Sequence, residues 1–121
     1  MAKASEAQII EENCLAAALH FMVVARLKEM KLQESYLTAK LEACTVRNAG
    51  WWAAKIDNLK FVVSDGRVGL PGTESSRALI RKGLAIWQTN PAEARLAIAR
   101  TLKPNMEGLW VGWLVGVDPA R

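Results

Sequence analysis

The chain has 121 residues, 51% of them hydrophobic and 23% charged, with a formal net charge of +4. This length fits one globular domain, residues 1–121, and the balance of apolar and charged residues excludes an intrinsically disordered chain. Two cysteines and a single histidine exclude a disulfide framework and match no zinc-ligand spacing.

The opening MAKASEAQIIEEN carries acids where a signal peptide would carry positive charge. The apolar run that follows, residues 14–25, is too short for a membrane span of about 20 residues. The expectation is therefore a soluble, cytoplasmic protein with no membrane partner. In that run eleven of twelve residues are apolar, the exception being His20. A helix apolar on nearly every side must be covered by other protein, so the domain is expected to be mainly α and arranged around this buried N-terminal helix.

Ser5 is a fitting N-cap, and the first helix is predicted over 5–31. Helical spacing divides its apolar side chains into two stripes. Ile9, Leu15, Leu19, Met22, Val23, Leu27 and Met30 form the wide stripe, expected to face the core. Ile10, Cys14, Ala17, Phe21 and Val24 form a narrower one, which either another element of this chain or a second copy could cover. The second choice makes these five residues candidates for self-association. A hairpin of the first two helices would leave Cys14 and Cys44 about 12 Å out of step, so both are predicted to be free, buried thiols.

A second helix begins near Tyr36, with Leu37, Leu41 and Cys44 at helical spacing. Asn48-Ala49-Gly50 reads as a helix end, because Asn and Gly tolerate the left-handed conformation. A further helical segment follows over 51–59. Residues 60–70, KFVVSDGRVGL, place Asp65-Gly66 between two β-rich runs, which predicts a small antiparallel hairpin. Its competitor is a helix continuing to Ser64, followed by a loop. Thr73 or Ser75 should cap a helix over 74–88 that turns Leu79, Ile80, Gly83, Leu84 and Trp87 inward. The sharpest boundary is Asn90-Pro91-Ala92-Glu93, an N-cap, an N1 proline and an acid at N3, opening a helix over 91–102 that Pro104 stops. Residues 106–117 are read as a strand over 109–117 able to pair with the hairpin, against a helix in which Gly108, Gly112 and Gly116 share one face.

Chemistry-bearing patterns are sparse. His20 has only alanines and valines at i±3 and i±4, so its own helix supplies no catalytic or ligand partner. Glu11 and Glu12 point to different faces. No nucleophile elbow, Walker-type loop or dinucleotide fingerprint occurs, so neither an enzyme nor a bound cofactor is expected. Gly66, Gly69 and Gly72 ahead of the third long helix could leave backbone N–H groups free for an anion, although ordinary turn glycines explain them as well.

Two features point to binding. Five tryptophans are present, of which Trp51, Trp110 and Trp113 are candidate interface aromatics, while core filling accounts for the type equally well. Residues 66–103 carry seven Lys or Arg against Glu74 and Glu93, and Arg77, Arg81, Lys82, Arg95, Arg100 and Lys103 form a candidate surface for a protein partner or nucleic acid. The sequence-based expectation is a non-enzymatic interaction protein, a homodimer that binds another macromolecule, as phage or mobile-element accessory proteins do. The alternatives are a nucleic-acid-binding accessory protein using the basic segment 66–103, and a small-molecule binder with an apolar pocket.

Overall fold

In the computed structural model, which describes residues 5–22 and 33–103, five helices follow one another. α1 (Glu6–Met22) starts where the Ser5 hydroxyl accepts the Gln8 N–H at 3.1 Å, satisfying one of the orphan donors of the first turn. Every residue from 12 to 19 is buried, polar Glu12 and Asn13 included. Side chains on all faces of this stretch are enclosed because α3 (Ala49–Val63), α4 (Glu74–Thr89) and α5 (Pro91–Thr101) all pack against it. The run of small residues Ala16, Ala17 and Ala18 lets the neighbours approach closely. One close approach is at Gly83 of α4, where an added Cβ would stand 2.5 Å from the Asn13 Cβ.

α2 (Glu34–Cys44) buries Leu37, Leu41 and Cys44 and pairs with α3, an arrangement tied at the rim by Lys60 Nζ and Glu34 Oε2 at 2.8 Å. It ends on Thr45, whose hydroxyl donates to the Leu41 carbonyl at 2.7 Å and accepts the Trp52 indole N–H at 2.8 Å. Asn48 then opens α3 rather than closing α2: its side chain accepts the Trp51 N–H at 2.8 Å. The chain does break at this triplet, but Asn is as good an N-cap as a left-handed terminator, and here the cap prevails.

The hairpin expected over residues 60–70 is absent. α3 runs on to Val63 because Leu59 is buried and Val62 packs against the core in helical register with Trp52 and Ile56. Tertiary burial here overrides local β preference. Asp65 and Gly66 do take positive φ, 55° and 83°, but they close a helix: Gly66 N–H donates to the Phe61 carbonyl at 2.8 Å and Asp65 N–H to that of Val62, a Schellman arrangement. The following loop folds back along α3, with Leu70 N–H donating to the Asp57 carbonyl at 3.2 Å. At Gly69, φ 81°, a Cβ would collide with that same carbonyl. No strand occurs among the described residues, and the proposed strand over 109–117 lies outside them.

α4 and α5 match their predicted bounds to within a residue at each end. Thr73 caps α4, its hydroxyl accepting the Ser76 N–H, and Asn90 caps α5, accepting from Glu93. Ile80 and Gly83 are buried, with Leu79, Leu84 and Trp87 half-buried around them. After α5 the chain returns to the end of α2, where Lys103 N–H donates to the Cys44 carbonyl at 2.8 Å. Among the described residues, no helix is long and apolar enough to cross a membrane.

Candidate functional site

Where α1, α3, the α2–α3 link and the start of α4 meet, an open cavity of about 350 Å³ is lined by Ile9, Arg47, Trp51, Lys55, Thr73, Ser75, Ser76 and Leu79. Its chemistry comes from two lysine and arginine heads brought in by different elements. Arg47 precedes α3 and reaches across to Glu12 of α1 in a bidentate pair, Nε to Oε2 at 2.7 Å and Nη2 to Oε1 at 2.9 Å. The Glu12 side chain is 2% exposed, so this carboxylate is inside the protein and wholly engaged by one guanidinium. The hydrogen bond to Glu12 raises the Arg47 pKa further, against the cost of burial.

Lys55 lies one turn after Trp51 on α3 and is only 8% exposed. Its Nζ donates to the Ser76 hydroxyl at 3.3 Å and stands 5.2 Å from the Trp51 ring, which Arg47 also covers at 4.3 Å. No carboxylate among the described residues lies within ion-pair distance of Lys55. Burial pulls its ammonium below the usual lysine pKa, with Glu12 opposing that shift and Arg47 adding to it. The pocket is therefore lined by two cations, with the buried Glu12 behind Arg47, and it adjoins the N-terminus of α4, where Thr73 takes the Ser76 N–H and the exposed Glu74 sits in the first turn.

The residues singled out from the sequence are distributed otherwise. Of the narrow stripe on α1, Cys14 and Ala17 are fully buried by the chain itself, Cys14 Sγ donating to the Gly83 carbonyl, so no second copy can reach them. Ile10 is half-buried and Phe21 is 41% exposed, while Val24 lies outside the described residues. Covering the centre of that stripe falls to α4 and α5, the intrachain alternative. Trp51 is half-buried, packed edge-to-face on Trp52, with the Arg47 guanidinium over its ring, and it lines the open cavity. Trp110 and Trp113 lie outside the described residues.

The six basic candidates do not form one set. Arg77 is tied to the carbonyls of Pro71 and Gly72, and Arg100 is held by Glu11 and Glu93. Arg81, Lys82, Arg95 and Lys103 are exposed and form no ion pair among the described residues. Both cysteines are free and buried. His20 is half-buried with Nδ1 unpartnered, and no group of three or more His, Cys, Asp or Glu able to hold a metal occurs among the described residues. Beside its two cationic heads, this cavity also carries the apolar side chains of Ile9, Trp51 and Leu79.

Arg47, Lys55 and Ser76 were not legible as a site because 29 residues of sequence separate the first from the last. One signal was present: Lys55 falls three residues after Trp52 and four before Leu59, a lysine set in the buried stripe of α3. Glu12, at the head of the buried stretch of α1, is its acidic counterpart. No protein-family model, curated protein or solved structure matches this chain.

Proposed function

We propose that the protein is a non-enzymatic interaction protein that holds an anionic group of another macromolecule in the pocket of Arg47, Lys55 and the α4 N-terminus. The observation that carries this reading is Lys55, a lysine more than nine-tenths buried, lining an open cavity, and with no carboxylate paired to it among the described residues. Burying an ammonium costs several kcal/mol unless a counter-charge compensates, and an incoming anion supplies that counter-charge. A binding role is supported by the same cluster, whose carboxylate, Glu12, is engaged on both oxygens by Arg47.

A second reading has an observation of its own. The four cations Arg81, Lys82, Arg95 and Lys103, exposed and without an ion pair among the described residues, would support non-specific contact with a nucleic-acid backbone. Titrating the protein with polyglutamate and with a short DNA duplex, at low and high salt, separates the two. Under the pocket reading Lys55→Met loses polyanion binding and Arg81→Glu/Lys82→Glu retains it. The reverse pattern assigns binding to the exposed cations, and no binding at low salt by the wild type removes both readings. A homodimer, if formed, would meet at the flanks of the α1 stripe, through Ile10 and Phe21.

A further inference from the structure

Resting on that reading, we propose that the group this pocket takes is a phosphate monoester, held by Arg47, Lys55, Ser75 and Ser76. The first argument is charge. Glu12, Arg47 and Lys55 leave one positive charge unbalanced, and the N-terminus of α4 adds the equivalent of about half a charge, opposed by the solvent-exposed first-turn Glu74. A carboxylate would bring one negative charge, whereas a phosphate monoester carries about −1.5 to −2 near neutral pH and so engages Arg47 and Lys55 more strongly.

The second argument is the supply of donors. Glu12 engages Nε and Nη2 of Arg47, and Nη1 has no hydrogen-bond partner among the described residues. Lys55 spends one of its three protons on Ser76, and because Ser76 accepts there, its own hydroxyl proton remains available. Ser75 places a further hydroxyl on the cavity wall, 3.3 Å from that of Thr73, with which it shares a hydrogen bond. These donors exceed what one carboxylate facing a cavity can use and suit the three terminal oxygens of a phosphoryl group. The cavity is open to solvent on one side, so the esterified oxygen can point outward and carry the remainder of its bearer.

Calorimetric titration of the full chain with inorganic phosphate, phenyl phosphate and acetate at matched ionic strength tests this. Inorganic phosphate and phenyl phosphate should both bind, each at least about tenfold more tightly than acetate, given the strength of charge-assisted hydrogen bonds. Lys55→Met should weaken phenyl phosphate about tenfold or more and Ser76→Ala several-fold, with circular dichroism unchanged. Arg81→Glu/Lys82→Glu should leave phosphate affinity within about twofold, since screened, more distant charges contribute little. Ser76→Ala removes only a half-buried hydroxyl and so stands as the test should Lys55→Met fail to fold. Acetate binding as tightly as phenyl phosphate, or phenyl phosphate failing to bind, overturns the assignment of the ligand class. Polyglutamate binding that still depended on Lys55 would then leave the anion-pocket reading standing, so the two failures are told apart.

Discussion

Replacing Gly83 by alanine tests the close contact between α1 and α4. An alanine Cβ at this position would lie 2.5 Å from the Asn13 Cβ, 2.8 Å from its carbonyl carbon and 2.9 Å from the Cys14 nitrogen. Two of these three atoms are main chain of α1 and cannot rotate away. To restore ordinary contact, α4 must retreat from α1 by roughly 1 Å, loosening dispersion contacts along the shared face and the Cys14 bond to the Gly83 carbonyl. Overpacking of this kind costs about 1–3 kcal/mol, and rigid obstacles place it at the upper end. Alanine's better helix propensity returns about 1 kcal/mol. The net expectation is a loss of about 2 kcal/mol, or roughly 8 °C in Tm for a domain of this size. Gly50 supplies the control, since its Cβ would meet nothing nearer than the Asn48 Oδ1 at 3.5 Å. Gly50→Ala should be neutral or stabilise by up to about 1 kcal/mol. Thermal and urea unfolding followed by circular dichroism compare the two variants directly. A Gly83→Ala protein as stable as wild type would refute the reasoning, because α1 and α4 would then not be held at the distance that requires glycine.

Glu12→Gln breaks the bidentate pair and leaves Arg47 without its carboxylate; with the arginine side chain 22% exposed the loss should be about 2 kcal/mol, read as a lower urea midpoint at unchanged m-value. Burial, aided by Lys60 and opposed by Glu34, holds the His20 pKa below its ordinary 6.5. The unfolded chain therefore binds that proton first, so stability should fall as pH drops from 6.5, and His20→Gln should reduce that fall in urea midpoints compared just above and just below this value. Burial above all, with Glu11 and Glu93 adding and Arg100 opposing, pushes the Cys14 thiol up to about 11. A maleimide at mildly alkaline pH should accordingly label neither Cys14 nor Cys44 in the folded protein and both in urea, and rapid native labelling would contradict the burial of both. Phe21→Glu should fold with wild-type helicity, since the ring is 41% exposed, and should run as a single chain in light scattering; a variant that remains dimeric would remove the α1 flank as a self-association surface.

What the sequence conveyed and what it hid follow from the range of the interactions. Caps act over three residues, so Ser5, Thr73 and Asn90 marked their helices correctly. The all-round apolarity of residues 14–19 announced a central helix because no shorter-range account of such a run exists. Asp65-Gly66 misled because positive φ at two successive residues serves a type I′ hairpin and a helix terminator alike, and only the burial of Leu59 beneath α1 and its neighbours decides between them. The narrow stripe on α1 was visible, but which surface covers it depends on helices more than fifty residues further along. The cationic pocket was least legible of all, since Glu12, Arg47, Lys55 and Ser76 come from four separate segments and no local pattern links them.

The central place of α1 also sets a problem for synthesis. This helix leaves the ribosome before any other described element, yet the two that pack most extensively against it, α4 and α5, are translated from residue 74 onward. At about 5–20 residues per second, the interval between the end of α1 and the end of α5 is roughly 4 to 16 s. During that time Leu15, Leu19 and the alanines between them lack their eventual cover, in a nascent chain tethered beside many others on a polysome. Folding efficiency in the cell should therefore respond to codon choice over α2 and α3 and to chaperones that hold apolar segments. Purified, full-length protein diluted from urea escapes that order of events, so refolding yield in vitro should exceed the soluble fraction obtained on rapid overexpression.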